Sequence, residues 1–154
     1  MTTAAEQALD LLIENYIDHC QRQSGGLPTI EYDSDWPSAC YQQEAANGAS
    51  VPWKPVRQTA HNDLFEGLER ALEAPIHEDI KSYYGRYWSD PINASYKGDK
   101  LSLLFVWNDD DYERLRGNLI GHAMTKQKIK QPLTFFFACT EPEEMVLSLE
   151  NHSG

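Results

Sequence analysis

Three adjacent carboxylates are the residues of this chain best suited to chemistry. Asp109, Asp110 and Asp111 lie between two aromatic residues and open a helical pattern. One acid in the first turn of a helix already gains most of the stabilisation that the helix dipole offers, so three exceed what capping requires. The cluster predicts either a solvated helix cap or an acidic lip, rimmed by Trp107 and Tyr112, that faces Lys or Arg of a partner.

The sequence carries none of the common motifs of catalysis or metal binding. It lacks Gly-rich phosphate loops, G-x-S-x-G and H-E-x-x-H. None of the five histidines has an i,i+4 histidine or a cysteine at metal-ligand spacing, so we expect no metal site. His122, beside Gly121, could act as a base, but a half-buried structural histidine explains it better. A hydrolase would need a buried pair of carboxylates, which a sequence with 24 acids neither identifies nor excludes.

The negative charge is concentrated in the first half of the chain. Residues 1–79 hold 14 Asp and Glu against 4 Lys and Arg, and residues 80–154 hold 10 against 9. The net charges are therefore −10 and −1, which give −11 for the whole chain. Such a field attracts a basic partner and repels nucleic acid. It also repels anionic lipid, so membrane association should go through protein rather than lipid.

Length and composition indicate one cytoplasmic domain. A chain of 154 residues with 41% apolar residues can bury a core, and no apolar run approaches the length of a membrane span. The N-terminus reads as an acidic helix rather than a secretory signal. Cys20, Cys40 and Cys139 stand apart in the sequence, which is typical of reduced thiols in the cytosol.

The first helix should start at the capping box formed by Thr3 and Glu6 and stop at Gly25-Gly26. Its apolar residues fall on one face at helical spacing, from Leu9 to Cys20. The opposite face carries a carboxylate row that only Arg22 could offset. We interpret this row as a solvated surface, and its members are Glu6, Asp10, Glu14 and Asp18.

Further helices and strands follow an irregular stretch over residues 24–60, whose aromatic side chains we expect to cover the core. Helices are predicted from near Asn62 to Glu73 and over Ile76–Tyr84, the second ending at Gly85. A hairpin with strands over Ala94–Tyr96 and Leu101–Trp107 comes next. The helix capped by Asn108, with an inner face of Leu115, Leu119, Ile120, Ala123 and Met124, precedes two strands, Leu133–Thr140 and Met145–Glu150. This order predicts an α+β fold with helices packed on a largely antiparallel sheet.

Seven short blocks of the sequence carry a resemblance through their order and spacing. The blocks are Ser38-Ala39-Cys40, Val51-Pro52-Trp53-Lys54-Pro55, Pro75-Ile76-His77, Gly98-Asp99-Lys100-Leu101, Trp107-Asn108-Asp109-Asp110-Asp111, Asn118-Leu119-Ile120-Gly121-His122 and Glu150-Asn151-His152-Ser153-Gly154. In this order they resemble the blocks of the bacterial family of SecY-interacting Syd proteins. The resemblance covers the chain from about the first helix to residue 154.

This resemblance implies a fold, a partner and a location. The fold would be Smi1/Knr4-like, within the SUKH group. Members bind SecY, the channel subunit of the translocation machinery, at the cytoplasmic side of the inner membrane, and are thought to monitor or restrain improperly assembled translocon. An acidic concave groove receives the basic cytoplasmic loops of SecY. No cofactor or catalytic residue is implied, and we expect a monomer.

The sequence departs from the family pattern in two places. Pro52 stands where another residue is expected, and family members continue past residue 154 through a further strand and a helix. We therefore expect residues 1–154 to be one Syd-like domain that lacks these two elements.

We therefore expect a non-enzymatic regulator that binds SecY through an acidic groove. Asp109, Asp110 and Asp111 are the first candidates for that groove, followed by Glu78, Asp79 and Glu113. The same fold and charge would also suit an immunity-type inhibitor that neutralises a basic toxin. The location of the gene beside a toxin gene would distinguish this alternative.

Overall fold

The computed structural model describes residues 2–59, 64–140 and 145–154, which form four helices and eight strands. The helices are α1 (Ala4–Ser24), α2 (Leu64–Leu72), α3 (Glu78–Arg86) and α4 (Asp109–Lys128). The strands are β1 (Thr29–Glu31), β2 (Ser50–Pro52), β3 (Val56–Arg57), β4 (Tyr87–Trp88), β5 (Ile92–Tyr96), β6 (Asp99–Leu103), β7 (Thr134–Thr140) and β8 (Val146–Glu150). These strands pair antiparallel as β1–β2, as β3–β4 and as a four-stranded sheet in the order β5–β6–β7–β8. The α+β fold predicted from the sequence is confirmed.

Local sequence signals set both ends of α1. The Thr3 hydroxyl accepts a hydrogen bond from the Glu6 N–H at 3.1 Å, so Thr3 caps the helix as predicted. The Glu6 carboxylate accepts the Thr3 hydroxyl at 3.3 Å rather than the Thr3 N–H that a full capping box would use. At the other end Gly25 takes a left-handed conformation with φ 74°, which glycine adopts without strain. Leu9 and Ile13 are buried and form the stripe through which α1 packs on the protein.

The predicted hairpin forms, but its turn and its second strand differ from the prediction. Lys97 and Gly98 have φ values of 50° and 86°, which make a two-residue turn that matches the twist of antiparallel strands. The next two residues, predicted as part of the turn, therefore begin β6. That strand ends at Leu103 rather than at Trp107, because the chain then leaves β7 and approaches β4.

The third helix in the chain is shifted from its predicted position. The prediction was Ile76–Tyr84 with a stop at Gly85, whereas α3 spans Glu78–Arg86. The imidazole Nδ1 of His77 accepts the Asp79 N–H at 3.0 Å. His77 is therefore the N-cap, and the helix starts two residues after the predicted start at Ile76. The helix passes through the glycine and ends where Tyr87 becomes extended to enter β4.

Helix α2 and the inner face of α4 agree with the prediction in part. The start predicted for α2 near Asn62 lies outside the described residues, and the helix ends at Leu72. Leu119 and Ala123 of α4 are fully buried as predicted. Met124 was predicted to face inward, but it is 56% exposed because it follows Ala123 by one residue, about 100° around the helix.

The main hydrophobic core lies between helices α2, α3 and α4 and strand β7. Two smaller clusters extend it. One joins α1 to Tyr87, Ile92 and Phe105. The other consists of Trp107 with Cys40 and Trp53 of the irregular segment, and further aromatic side chains of that segment pack against it, which confirms that they cover the core. Within the described ranges, no helix combines the length and the apolar composition of a membrane span.

Candidate functional site

A groove opens where β6 separates from β7. The last hydrogen bond between the two chain segments is the Leu104 N–H donating to the Phe137 carbonyl at 2.8 Å. The hydroxyl of Tyr83 in α3 lies at the same point, 2.8 Å from the Leu104 carbonyl and 3.3 Å from the Phe137 carbonyl. Beyond this point the Ser89 N–H donates to the Val106 carbonyl at 2.9 Å. The segment is thus drawn away from β7 towards β4, and the diverging backbones leave a concave surface.

The groove is both aromatic and acidic. Its volume is about 890 Å³, and apolar side chains including Phe105, Val106 and Phe136 line part of it. The loop between β1 and β2 contributes further lining residues. Four lining residues are acidic and one is basic, so the groove has an excess of negative charge. The charged residues are Glu31, Asp33, Asp90, Asp111 and Arg114.

Asp90 is the least compensated carboxylate of the groove. It is half-buried between β4 and β5, and no hydrogen bond or ion pair from the described residues reaches its carboxylate. Burial raises the pKa of Asp90, and the nearby charge of Asp111 raises it further. A desolvated anion without a partner is costly, so this position favours an incoming cation.

Asp111 is held by the protein itself. Its side chain is 11% exposed, and its Oδ2 accepts the Trp107 N–H at 2.9 Å. Its Oδ1 lies 2.6 Å from Arg114 Nη2. The carboxylate therefore fixes the junction between β6 and α4, and Asp111 is one of the residues that line the groove. The expected rim is wrong for Tyr112, which is 4% exposed and packs in the core, whereas Trp107, also 4% exposed, is among the residues that line the groove.

Aromatic contacts attach the irregular segment to this junction. The Trp107 indole N–H donates to the Trp36 carbonyl at 3.2 Å, and the Tyr41 ring meets the Trp107 ring edge-on at 5.2 Å. The Asn108 side chain donates to the Pro37 carbonyl at 2.8 Å. A segment without periodic structure thus becomes an ordered wall of the groove.

Asp109 and Asp110 lie beside the groove rather than in it. Both are exposed at the start of α4 and line a shallow hollow of about 540 Å³. Trp107 lines this hollow as well as the groove, so the two concave surfaces adjoin. Glu113 is exposed too and pairs with Arg116 at 3.2 Å.

The other two predicted residues belong to a different surface. Glu78 and Asp79 start α3, and Glu78 lines a hollow of about 430 Å³ between the helices. Lys81 lies 3.4 Å from Glu78 and 2.8 Å from Glu69. The residues that line the groove do not include Glu78 or Asp79, so the structure does not bring all six predicted residues together.

Residues of the predicted carboxylate row hold α1 against α3. Asp10 accepts the Arg86 Nη2–H at 2.7 Å, the Arg57 Nη2–H at 2.9 Å and the Tyr87 hydroxyl at 2.7 Å. Glu6 lies 2.6 Å from Arg86 Nη1. The expectation that only Arg22 could offset this row is wrong, because cations distant in sequence pair with half of it.

Three acids of the groove were missed by the sequence reasoning, namely Glu31, Asp33 and Asp90. Glu31 and Asp33 alternate with Asp35 at every second position of the irregular stretch, whereas Asp90 belongs to no cluster. The available signal for Asp90 was its place between Trp88 and Ile92, where an acid stands between two short strands. Its exposure to the groove depends on the path of the later residues 104–107, which no local pattern reveals.

The fold and the groove define a small α+β domain with a concave acidic surface. The family description "Syd protein (SUKH-2)" matches residues 6–154. Protein Syd of Pseudoalteromonas atlantica is 39% identical over 156 residues, which cover all of this chain and 83% of that relative. Protein Syd of Colwellia psychrerythraea is 40% identical over 157 residues, with coverage of 96% and 78%. The chain therefore belongs to the Syd family, as its sequence blocks predicted.

Proposed function

We propose that this protein is a non-enzymatic regulator that binds SecY at the cytoplasmic side of the inner membrane. The groove receives basic cytoplasmic loops of SecY, and through this contact the protein monitors or restrains translocation. Membership of the Syd family supports the choice of partner. The excess of acidic lining residues supports the choice of surface, because cytoplasmic loops of membrane proteins are rich in Lys and Arg.

The observation that carries this proposal is the uncompensated carboxylate of Asp90. Its neighbour Asp111 adds negative charge, and the single basic lining residue, Arg114, pairs with Asp111 and not with Asp90. A Lys or Arg of a SecY loop placed near Asp90 would remove the cost of its burial. Binding would therefore gain energy at a position where the free protein is destabilised.

The predicted residues Asp109 and Asp110 act in this proposal as an outer part of the same surface. They adjoin the groove through Trp107 and are open to solvent. Exposed charges act over roughly 8 Å at physiological ionic strength, so they would speed the encounter more than they would hold the complex. Glu113, Glu78 and Asp79 have a smaller part, because each lies outside the groove lining.

The test is co-sedimentation with vesicles that contain SecY, at low and at high salt. Wild type should bind and be released by salt, whereas the double variant Asp33→Lys and Asp90→Lys should lose binding. A matched control reverses Asp99 and Glu150 to Lys, because the two positions lie in strands β6 and β8 away from the groove lining. The control has the same net charge as the groove variant and should still bind.

Equal loss of binding in both double variants would contradict a local site and indicate a general effect of charge. A wild-type protein that never binds SecY would contradict the proposed partner. It would favour the alternative in which the acidic surface neutralises a basic toxin.

A further inference from the structure

One cation already occupies part of the acidic groove. Arg114 Nη2 lies 2.6 Å from Asp111 Oδ1, and the guanidinium carbon lies 5.8 Å from the centre of the Trp36 ring, over that ring. A carboxylate at one side and an aromatic ring at the face form the surroundings in which proteins bind guanidinium groups. The structure thus displays the kind of group that fits this position.

The two residues around the guanidinium are fixed independently of Arg114. Asp111 accepts the Trp107 N–H through its other oxygen, and its own N–H donates to Asn108 Oδ1 at 2.8 Å. The Trp36 carbonyl accepts the Trp107 indole N–H at 3.2 Å, and the Trp36 side chain packs against the buried cluster that contains Trp107. None of these contacts involves Arg114, so removal of its side chain should leave the position of both residues unchanged. The arrangement is organised before any partner binds.

The occupant is held much less firmly than its surroundings. The side chain of Arg114 is 70% exposed, whereas that of Asp111 is 11% exposed. The ion pair joins residues three apart on one helix, and exposed pairs of this kind contribute little to stability. Displacement of Arg114 by another guanidinium would thus cost little.

We propose that Asp111 and Trp36 form an arginine-binding subsite, which Arg114 occupies in the free protein and from which an arginine of the basic partner segment displaces it. This inference rests on the proposed function of the groove. It adds that the basic segment of the partner must contain an arginine. A lysine would gain the charge interaction, but its ammonium lacks the flat face that stacks on the indole ring. Arg114 acts as an internal competitor, so its removal strengthens binding.

The first test compares two variants of α4 with two simple probes. Arg114→Gln and Arg116→Gln each remove one positive charge, and each breaks an ion pair to the residue three positions earlier. Hexa-arginine and hexa-lysine have equal charge and are titrated calorimetrically at low salt. Arg114→Gln should bind hexa-arginine about threefold to tenfold more tightly than wild type does. Hexa-lysine should gain less, and Arg116→Gln should change both affinities equally and only slightly.

The second test removes the aromatic face. Trp36→Leu in the Arg114→Gln background should abolish the preference for hexa-arginine over hexa-lysine, with folding checked by circular dichroism. Trp36→Phe, which keeps a ring with a weaker attraction for cations, should retain part of the preference and serves if the leucine variant fails to fold. A preference that survives in a folded leucine variant would overturn the subsite.

Three results of the first test would also contradict the inference, and each is separate from a failure of the SecY proposal. The inference fails if Arg114→Gln binds hexa-arginine no better than wild type, if both probes gain equally, or if hexa-arginine does not bind at all. Wild-type binding to SecY vesicles would stand in each case. Conversely, a protein that does not bind SecY but shows the selective gain for hexa-arginine would support the arginine-binding subsite and contradict SecY as the partner.

Discussion

The hollow between α1 and α3 and the groove beside α4 each contain four acidic lining residues, but their acids have different surroundings. In the hollow three bases accompany them, and Arg86 forms contacts with both Glu6 and neighbouring Asp10. In the groove a single base, Arg114, accompanies them, and Asp90 has no ion pair among the described residues. Equal numbers of carboxylates thus produce one paired and one uncompensated region.

This difference separates acids that hold the fold from acids that are available to a partner. A carboxylate paired with a largely buried cation such as Arg86 has already recovered the cost of leaving water, so a new cation adds little. An uncompensated one retains that cost until a partner arrives. Pairing, and not the density of acids along the chain, is therefore the property that marks the candidate site.

The largest expected effect lies in the paired region. Asp10→Asn should lower the free energy of unfolding by about 2 kcal/mol, because it leaves Arg86 without the carboxylate that its Nε and Nη2 contact. Urea unfolding measures this change. Asp18→Asn is the matched control, since its pair with Arg22 spans 3.8 Å and both side chains are mostly exposed, and it should cost at most about 0.5 kcal/mol. Equal losses in the two variants would contradict the distinction.

The same contact predicts a dependence on pH. Hydrogen bonds from the Arg86 side chain and the Tyr87 hydroxyl, with the charges of Arg86 and Arg57, outweigh burial and hold the pKa of Asp10 well below its ordinary value of 3.8. Because the folded pKa is lowered, the stabilisation is present above that ordinary value and is lost as the pH falls below it. The difference in stability between wild type and Asp10→Asn should therefore shrink in acid. If the difference in unfolding free energy between the two proteins stays constant down to acid pH, the Asp10 carboxylate does not provide this stabilisation.

The next effect has the opposite sign. Asp90→Asn should raise the free energy of unfolding by roughly 1 kcal/mol at pH 7, because it removes an uncompensated half-buried charge. The folded pKa of this carboxyl is raised by burial and by Asp111, so the destabilisation is present above the raised pKa and vanishes as the pH falls through it. Urea unfolding at neutral and acid pH measures both parts. A loss of stability at pH 7 would show that Asp90 is compensated.

The smallest effect concerns the carboxylates first singled out in the sequence. Asp109→Asn combined with Asp110→Asn should weaken binding to SecY vesicles by about twofold to threefold at low salt, because both side chains are exposed and screened. The loss should disappear at high salt. If this variant loses more affinity than Asp90→Asn does, the main contact with the partner lies in the hollow at the start of α4 rather than in the groove.

Much of the fold could be predicted because its signals are local. The caps at Thr3 and Asn108 and the turn at Gly98 each act within a few residues, and the helices and strands that they delimit are present. Two errors in where these elements end came from distant contacts. Leu103 ends β6 because the chain then pairs with β4, and Tyr87 ends α3 because it enters that strand.

The site was harder to predict for the same physical reason. The groove depends on the divergence of β6 from β7 and on Trp107 holding the irregular segment, which are both contacts between distant residues. Sequence density drew attention to Asp109 and Asp110, whereas Asp90 stands alone in the sequence. The carboxylate row of α1 looked solvated because its cations lie far along the chain.

The most direct test of the account is the affinity of Asp90→Asn for SecY in nanodiscs, measured across a range of salt concentrations beside wild type. We expect about tenfold weaker binding at low salt and a shallower dependence on salt, because one charge pair with the partner is lost. Asp10→Asn, measured under conditions in which it stays folded, should bind as wild type does. Equal affinities and equal salt dependence for wild type and Asp90→Asn would contradict the assignment of the groove as the SecY-binding surface.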